Sequence, residues 1–321
     1  MRAVFVEQAD PTAPLSALRV GERPEPEVPE GWVKVQVEAA GLNHHDLWSL
    51  RGVGLPADRM PMILGTDAAG RTEDGRPVIV HSVISTPGWV GDETYDPRRS
   101  LLSELHQGTQ AEWVTVPAAN LIDRPDFLTA EQAACLPTAW LTAHRMLTHD
   151  SGLAKPGTVL VQGASGGVAS AAIALAHALG HRVWATARTE EKRAFALAQG
   201  ADQAFEPGAR LPERVDAVIE TVGEATWSHS LKSLRPGGTV VTCGATSGPN
   251  PPADLNRVFF LQLRVIGSTM GTRQEFGELL TLLRQTGLRP AVDRLVSFDE
   301  APEAYAAMEE SSMLGKIVLR P

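Results

Sequence analysis

Between Thr158 and Gly180 a short apolar run, a glycine-rich turn and a helix of small residues follow one another. Val159-Leu160-Val161 reads as a buried strand, Gln162-Gly163-Ala164-Ser165-Gly166-Gly167-Val168-Ala169 as the turn, and the Ala-rich segment ending near Leu179-Gly180 as the helix. Such a turn lets backbone N–H groups approach a diphosphate at the positive end of the helix. In the G-x-G-x-x-G/A register it supplies Ala164, Gly166 and Ala169, so the central glycine and the permitted final alanine agree. Gly163 and Gly167 add room, and nothing resembles the GK[ST] ending of a P-loop.

The downstream pattern fits a nucleotide-binding sheet. His181 to Thr186 reads as a second strand, Glu190 to Gln199 as a helix, Val215 to Glu220 as a strand, 227–234 as a helix and Thr239 to Gly244 as a strand. Alternating strands and helices imply a parallel, doubly wound α/β sheet. Gly223 and Gly244, just after strands, face the crevice where such sheets bind ligands. A carboxylate about 20 residues past the glycine turn would hold the ribose hydroxyls of NAD. Thr186-Ala187-Arg188-Thr189 offers none, and Arg188 stands there with Lys192 and Arg193 close behind. A guanidinium suits a 2′-phosphate, so the pattern favours NADP(H). Arg188 as a solvated surface charge is the competing reading, with Glu190 and Glu191 nearby.

Composition narrows the remaining classes. With 321 residues, 43% hydrophobic and a net charge of -9, the chain has material for two cores and no basic surface for nucleic acid. Its two cysteines, Cys135 and Cys243, build neither a disulfide scaffold nor a cysteine-rich metal site. No uninterrupted apolar run has membrane length and Met1-Arg2 leads straight into a strand, so the expected location is the cytoplasm.

Residues 1–120 read as a mainly β domain, with strands at Ala3 to Glu7, Trp32 to Ala39, Val78 to Val83 and Ala111 to Val116. Helical patterning runs from Thr129 toward Leu147. Late in the chain, Val265 to Met270 reads as a strand leaving the sheet, Phe276 to Arg284 and Pro302 to Glu310 as helices, and Gly315 to Leu319 as a terminal strand.

Five motifs in order resemble the medium-chain dehydrogenase/reductase superfamily over essentially the full length. They are Ala40-Gly41-Leu42-Asn43-His44-His45-Asp46-Leu47, Ile63-Leu64-Gly65-Thr66-Asp67-Ala68-Ala69-Gly70, Gly108-Thr109-Gln110-Ala111-Glu112-Trp113, the glycine turn, and Gly315-Lys316-Ile317-Val318-Leu319. The resemblance implies a GroES-like domain at 1–120, a Rossmann-type NADP-binding domain at 121–262, and 263–321 supplying an edge strand, helices and a return to the first domain. It also implies an active cleft at the domain junction. Cofactor contacts would come from His44, Thr142, Gly163, Ala164, Ser165, Gly166, Gly167, Val168, Arg188, Lys192, Val222, Gly223, Gly244, Ala245 and Lys316.

At the positions where zinc enzymes of this superfamily carry metal ligands, the sequence has Asn43, Thr66-Asp67 and Ala139, and the four-cysteine lobe is absent from Trp89 to Gln110. Only Asp67 is a usual ligand type, so no metal is expected and the resemblance shifts to the zinc-independent quinone oxidoreductase-like branch. His44-His45 departs from that branch's commonest pattern. The candidate catalytic residues are His45, as proton donor, with Asn43 and Thr66 orienting a carbonyl as neutral donors. A structural role for His45 competes with the catalytic one, and Asp46 is read as fixing local geometry. Trp48 and Trp140 are candidate walls of an apolar slot, ordinary core packing being the other reading. The expected activity is NADPH-dependent hydride transfer to a quinone or an electron-poor alkene or carbonyl, without zinc. Alternatives are a carbonyl reductase or alcohol dehydrogenase, and a non-enzymatic NADP(H)-binding redox sensor. The apolar segment from Val258 to Gly267 suggests a homodimer joined through edge strands of the nucleotide-binding sheet.

Overall fold

A computed structural model describes residues 1–321. The chain divides into two units, Met1–Ala139 together with Met270–Pro321, and Trp140–Thr269. The first break thus falls after Ala139 rather than near residue 120, because strand Leu121–Asp123 pairs antiparallel with Pro77–Val80 and keeps the following segment in the first unit.

The first unit is built on the ten-residue strand Trp32–Gly41. Its alternating sequence buries Val35 and Val37 against Val78, Val80, Val114 and Val116. Across the main sheet the order is Leu121–Asp123, Pro77–Val80, Asp67–Thr72, Trp32–Gly41, Lys316–Arg320 and Val292–Ser297, with Trp113–Pro117 also paired to Trp32–Gly41. The final strand is therefore internal to this sheet, antiparallel to Trp32–Gly41 with Val318 opposite Gly41 and parallel to Val292–Ser297. Ile317, Val318 and Leu319 are fully buried. Each contributes at most about 1.5–3 kcal/mol, so the last residues of the chain help to close the first unit's core.

In the second unit the strand order is Gln203–Phe205, Arg182–Thr186, Thr158–Gln162, Val215–Glu220, Leu234–Thr242 and Arg264–Gly267, with every neighbouring pair parallel. Helices Gly167–Ala178, Glu190–Ala198 and Glu224–Ser233 connect successive strands. Chain direction across the sheet reverses between Thr158–Gln162 and Val215–Glu220, which makes their carboxyl ends the ligand crevice of a doubly wound fold. No helix is long and apolar enough to cross a membrane.

Several local expectations change. The segment 129–147 is not one helix: Ala130–Ala133 gives way to a π-helical turn at Leu136–Trp140, then a helix at Leu141–Arg145 and a second π-helical turn at Met146–Asp150. Trp140 is buried at 2% exposure and packs as core rather than presenting a wall. Residues 258–260 belong to the helix Leu255–Phe260, initiated by the Asp254 side chain, and only Arg264–Gly267 forms the edge strand. Strand Asp67–Thr72 has a weak sequence signal because Asp, Ala and Gly are poor strand formers, and pairing on both sides imposes the extended backbone.

Candidate active site

The polar centre of the first unit begins where Trp32–Gly41 passes into helix His44–Leu50. Asp46, wholly buried, accepts hydrogen bonds from the backbone N–H groups of Asn43 (2.8 Å) and Gly65 (3.1 Å) and from Gln110 Nε2 (3.2 Å). Tyr305 Oη in turn donates to Gln110 Oε1 at 2.8 Å. One carboxylate thus ties the Asn43 and Thr66 segments together, which is the geometric role expected of Asp46.

Hydrogen-bond accounting decides what Asn43 and Thr66 can do. Lys316 Nζ donates to Leu42 O at 2.7 Å and Asn43 Oδ1 at 2.5 Å, and lies 3.4 Å from Asp67 Oδ2. With its carbonyl oxygen taken by the ammonium, the Asn43 amide turns Nδ2 toward Asp67 Oδ2 (2.9 Å) and Thr66 Oγ1 (3.1 Å). Thr138 Oγ1 donates to Asp67 Oδ1 at 2.5 Å, so its 2.9 Å bond with Thr66 Oγ1 uses the Thr66 proton. Burial pushes the Asp67 carboxyl up from its ordinary value, and Lys316, Asn43 and Thr138 oppose that push. With Asp67 ionised, both hydroxyl protons and the amide protons point inward. Asn43 (6% exposed) and Thr66 (0%) therefore form a rigid frame and have no free proton for a carbonyl.

Lys316, expected at the cofactor, instead has its ammonium enclosed in this cluster and is 2% exposed. Thr138, half-buried, is the cluster hydroxyl nearest solvent. Sequence reasoning missed it because a continuous helix over 129–147 hid its position beside Ala139. Burial pushes the nearby Cys135 thiol up to about 12, so it is inert as a nucleophile.

His45 keeps a different company. Its Nε2 lies 3.2 Å from Glu104 Oε1, while Nδ1 is buried 4.0 Å from Asp46 Oδ1, too far for a hydrogen bond. Burial alone would lower the imidazole pKa, but Asp46 and Glu104 outweigh it and raise the value to about 9. His45 is therefore an imidazolium at neutral pH. Burial, with the Lys316 and Arg51 charges, lowers the pKa of adjacent His44, which stays neutral there. Glu104, whose carboxyl also accepts from Leu101 N at 3.0 Å, gave no sequence signal because only its approach to His45 in space identifies it.

In the second unit, Gly163 (φ +80) turns the chain after Thr158–Gln162, and Gly166 precedes helix Gly167–Ala178. No side chain caps that helix, and a Cβ placed on Gly166 would meet nothing within 4 Å. Ala164 and Ser165 are buried while Gly167 and Val168 are half-buried on the first turn. Uncapped N–H groups below open space fit a dinucleotide diphosphate. At the next strand end Arg188 is exposed, and its charge helps to lower the pKa of half-buried Lys192, after burial. The two cations therefore share one patch, as a phosphate pocket requires.

Val222, Gly223, Gly244 and Ala245 lie at the carboxyl ends of Val215–Glu220 and Leu234–Thr242. Buried Glu220 shapes this corner by accepting from Val222 N (2.8 Å), Gly223 N (3.1 Å), Thr226 Oγ1 (2.9 Å) and Ser230 Oγ (2.6 Å). Gly223, Gly244 and Ala245 line a cavity of about 550 Å³ with Trp227, Cys243 and Ser268. Burial, then the Glu220 charge, pushes the Cys243 thiol up to about 12. Thr142, in helix Leu141–Arg145, is 4% exposed and does not line this cavity.

The residues at the candidate metal positions do not fit zinc. Asn43, Thr66 and Ala139 are not usual ligand types, Asp67 is engaged by Asn43, Thr138 and Lys316, and no three His, Cys, Asp or Glu side chains converge as a metal site needs.

The His45–Glu104 pairing makes a pH prediction. A histidine whose pKa rises from 6.5 to about 9 on folding contributes stability that is full below 6.5 and lost as pH climbs through 9. Replacing Glu104 with Gln removes one carboxylate, so NMR titration of the His45 ring is expected to show a fall of about one unit or more. The stability difference between parent and variant should be larger at pH 6 than at pH 10, in the sense that the parent is favoured. An unchanged His45 titration would assign its charge to Asp46 alone.

Two family models match successive parts of the chain. A family model described as the alcohol dehydrogenase GroES-like domain matches residues 29–126, and one described as zinc-binding dehydrogenase matches residues 167–285. The probable acrylyl-CoA reductase AcuI of Escherichia coli is 30% identical, covering 100% of this chain and 99% of that protein. The acryloyl-coenzyme A reductase of Metallosphaera sedula is 30% identical over 94% of this chain and 95% of its own length. A solved structure titled NAD-dependent alcohol dehydrogenase superposes with a TM-score of 0.91 at 31% identity, covering 100% of both chains. The chain belongs to the medium-chain dehydrogenase/reductase superfamily.

Proposed function

We propose that this oxidoreductase is an NADPH-dependent reductase of electron-poor alkenes that works without a catalytic metal and takes its proton from His45. The observation carrying this reading is the His45 imidazolium beside Glu104, within a unit whose other site protons are committed inward. The cofactor is NADP(H), which when bound supplies hydride. Addition at the β carbon of an alkene conjugated to a carbonyl leaves an enolate that needs a proton at the α carbon. His45, charged beside Glu104, is the proposed source of that proton, and Glu104 stabilises the charge until transfer. Asn43, Thr66, Thr138 and Asp67 keep the floor beneath it fixed. The first turn of Gly167–Ala178 holds the diphosphate, and Arg188 with Lys192 holds the 2′-phosphate.

The names of the Escherichia coli and Metallosphaera sedula relatives favour an α,β-unsaturated thioester among such alkenes. A quinone belongs to the same reactivity class, since its ring is already polarised and needs no Lewis acid. A simple ketone is less electrophilic and gains more from a Lewis acid, and the first unit offers no metal ligand set. NADPH oxidation is followed with acryloyl-CoA, crotonyl-CoA, an enone, a quinone, a simple ketone and an aldehyde. Turnover concentrated on the conjugated alkenes is expected. Turnover confined to the ketone or aldehyde would replace this reading with a carbonyl reductase, and none at all would favour a nucleotide-binding sensor.

Two copies of the chain are proposed to join through the edge strand Arg264–Gly267, where Val265 is 45% exposed and the preceding helix shows Phe259 and Phe260 at 67% and 79%. Light scattering that gives the monomer mass at micromolar concentration would refute this. For the cofactor, Arg188→Ala is expected to weaken NADPH binding tenfold or more, on the order of 1.5–3 kcal/mol, and to leave NADH nearly unchanged. Equal losses for both nucleotides would place Arg188 in diphosphate binding or folding.

A further inference from the structure

Side chains behind the crevice of the second unit form one continuous chain of hydrogen bonds, and counting protons along it fixes every direction. Gln162, the last residue of Thr158–Gln162, is wholly buried. Ser230 Oγ gives its single proton to Glu220 Oε2 at 2.6 Å, so toward the Gln162 amide, 3.0 Å away, it can only accept. The amide therefore turns Nε2 to Ser230 and Oε1 to Thr186, whose Oγ1 donates to it at 2.7 Å. Thr186 Oγ1 in turn accepts from Gly163 N at 3.3 Å. The second proton on Gln162 Nε2 points at His229 Nδ1, at 2.9 Å, which must accept and so carries no proton. His229 Nε2 holds the ring's proton and donates it to Ala209 O at 2.9 Å.

We propose that Gln162 is a positioning residue for the dinucleotide, and that His229, held as its Nε2–H tautomer, keeps the Gln162 amide in the orientation this role needs. Through Thr186 the amide reaches Gly163, which opens the glycine turn with φ +80. Through Ser230 it reaches Glu220, whose carboxylate also holds Val222 N and Gly223 N. These two segments lie at the ends of Thr158–Gln162 and Val215–Glu220, on either side of the reversal in strand order. Thr186 also ends the strand Arg182–Thr186, where Ala187 and Arg188 follow. One amide thus holds the glycine turn, the Gly223 corner and the strand end that leads to Arg188 in a single register. An apolar side chain at 162 fills the same space, but it leaves buried donors and acceptors unmet and each segment to settle by itself.

The inference rests on the reading of this crevice as the NADP(H) site, and NADPH binding by the parent tests that reading by itself; a parent that does not bind would remove both. The full-length parent, Gln162→Met, Thr186→Val and Thr186→Ser are titrated with NADPH and melted, and the histidine rings of the parent are followed by nitrogen NMR. The His229 ring is expected to show a bare Nδ1 and a protonated Nε2. Gln162→Met and Thr186→Val, which break the chain at different links, should each weaken NADPH binding about tenfold. Thr186→Ser keeps the hydroxyl and should bind as the parent does. If Gln162→Met does not fold, the two Thr186 variants decide the matter, since they differ in the one proton that joins Gln162 to the turn. Folded variants that melt lower yet bind NADPH like the parent would make the network structural only and overturn the proposal. So would a Thr186→Ser loss as large as that of Thr186→Val, or a parent His229 protonated at Nδ1.

Discussion

Burying the Asp67 carboxylate is the constraint on which the first unit turns. Asp67 begins a central strand of the sheet and has no exposure, so its charge must be answered from within. The answer comes from the far end of the chain, where Lys316 opens the last strand. That one pairing couples the terminal strand's register to the Asn43 amide and, through Asn43, to two threonine hydroxyls. Because each hydroxyl has a single proton, fixing the ammonium and carboxylate fixes the direction of the whole chain of bonds. The cluster becomes a rigid frame with no proton to spare, and His45 with Glu104 lies outside that chain of bonds.

The second unit follows another logic, in which backbone rather than side chains shapes the crevice. Its crevice is formed by strand ends, an uncapped helix terminus and the loop that Glu220 holds. At its rim Arg188 and Lys192 bring two cations into one patch. Neither cysteine is a nucleophile, since a thiol held near 12 is not a thiolate at physiological pH.

Features with local causes were legible in the sequence. The glycine turn, the strand-helix alternation from Thr158 to Gly244 and the even-odd pattern of Trp32 to Glu38 each name their own structure, and the tail motif announced the terminal strand. Features created by contact between distant segments were not. Strand Asp67–Thr72 lacks strand propensity and is made by its neighbours, and the π-helical turns interrupt a pattern that reads as continuous helix. His45 was found as a candidate acid, yet its charge depends on Glu104, far away in sequence. Lys316 was read as a cofactor contact because a lysine after glycine says nothing about the carboxylate opposite it, and Thr138 stayed hidden within a segment that reads as continuous helix.

The central claim is that this reductase of conjugated alkenes works without a catalytic metal. It is tested most directly by measuring NADPH oxidation with crotonyl-CoA before and after exhaustive chelation, with zinc content determined by elemental analysis on the same samples. The account predicts the same turnover in both, with no stoichiometric zinc in either. Turnover that disappears on chelation and returns when zinc is added back would contradict it.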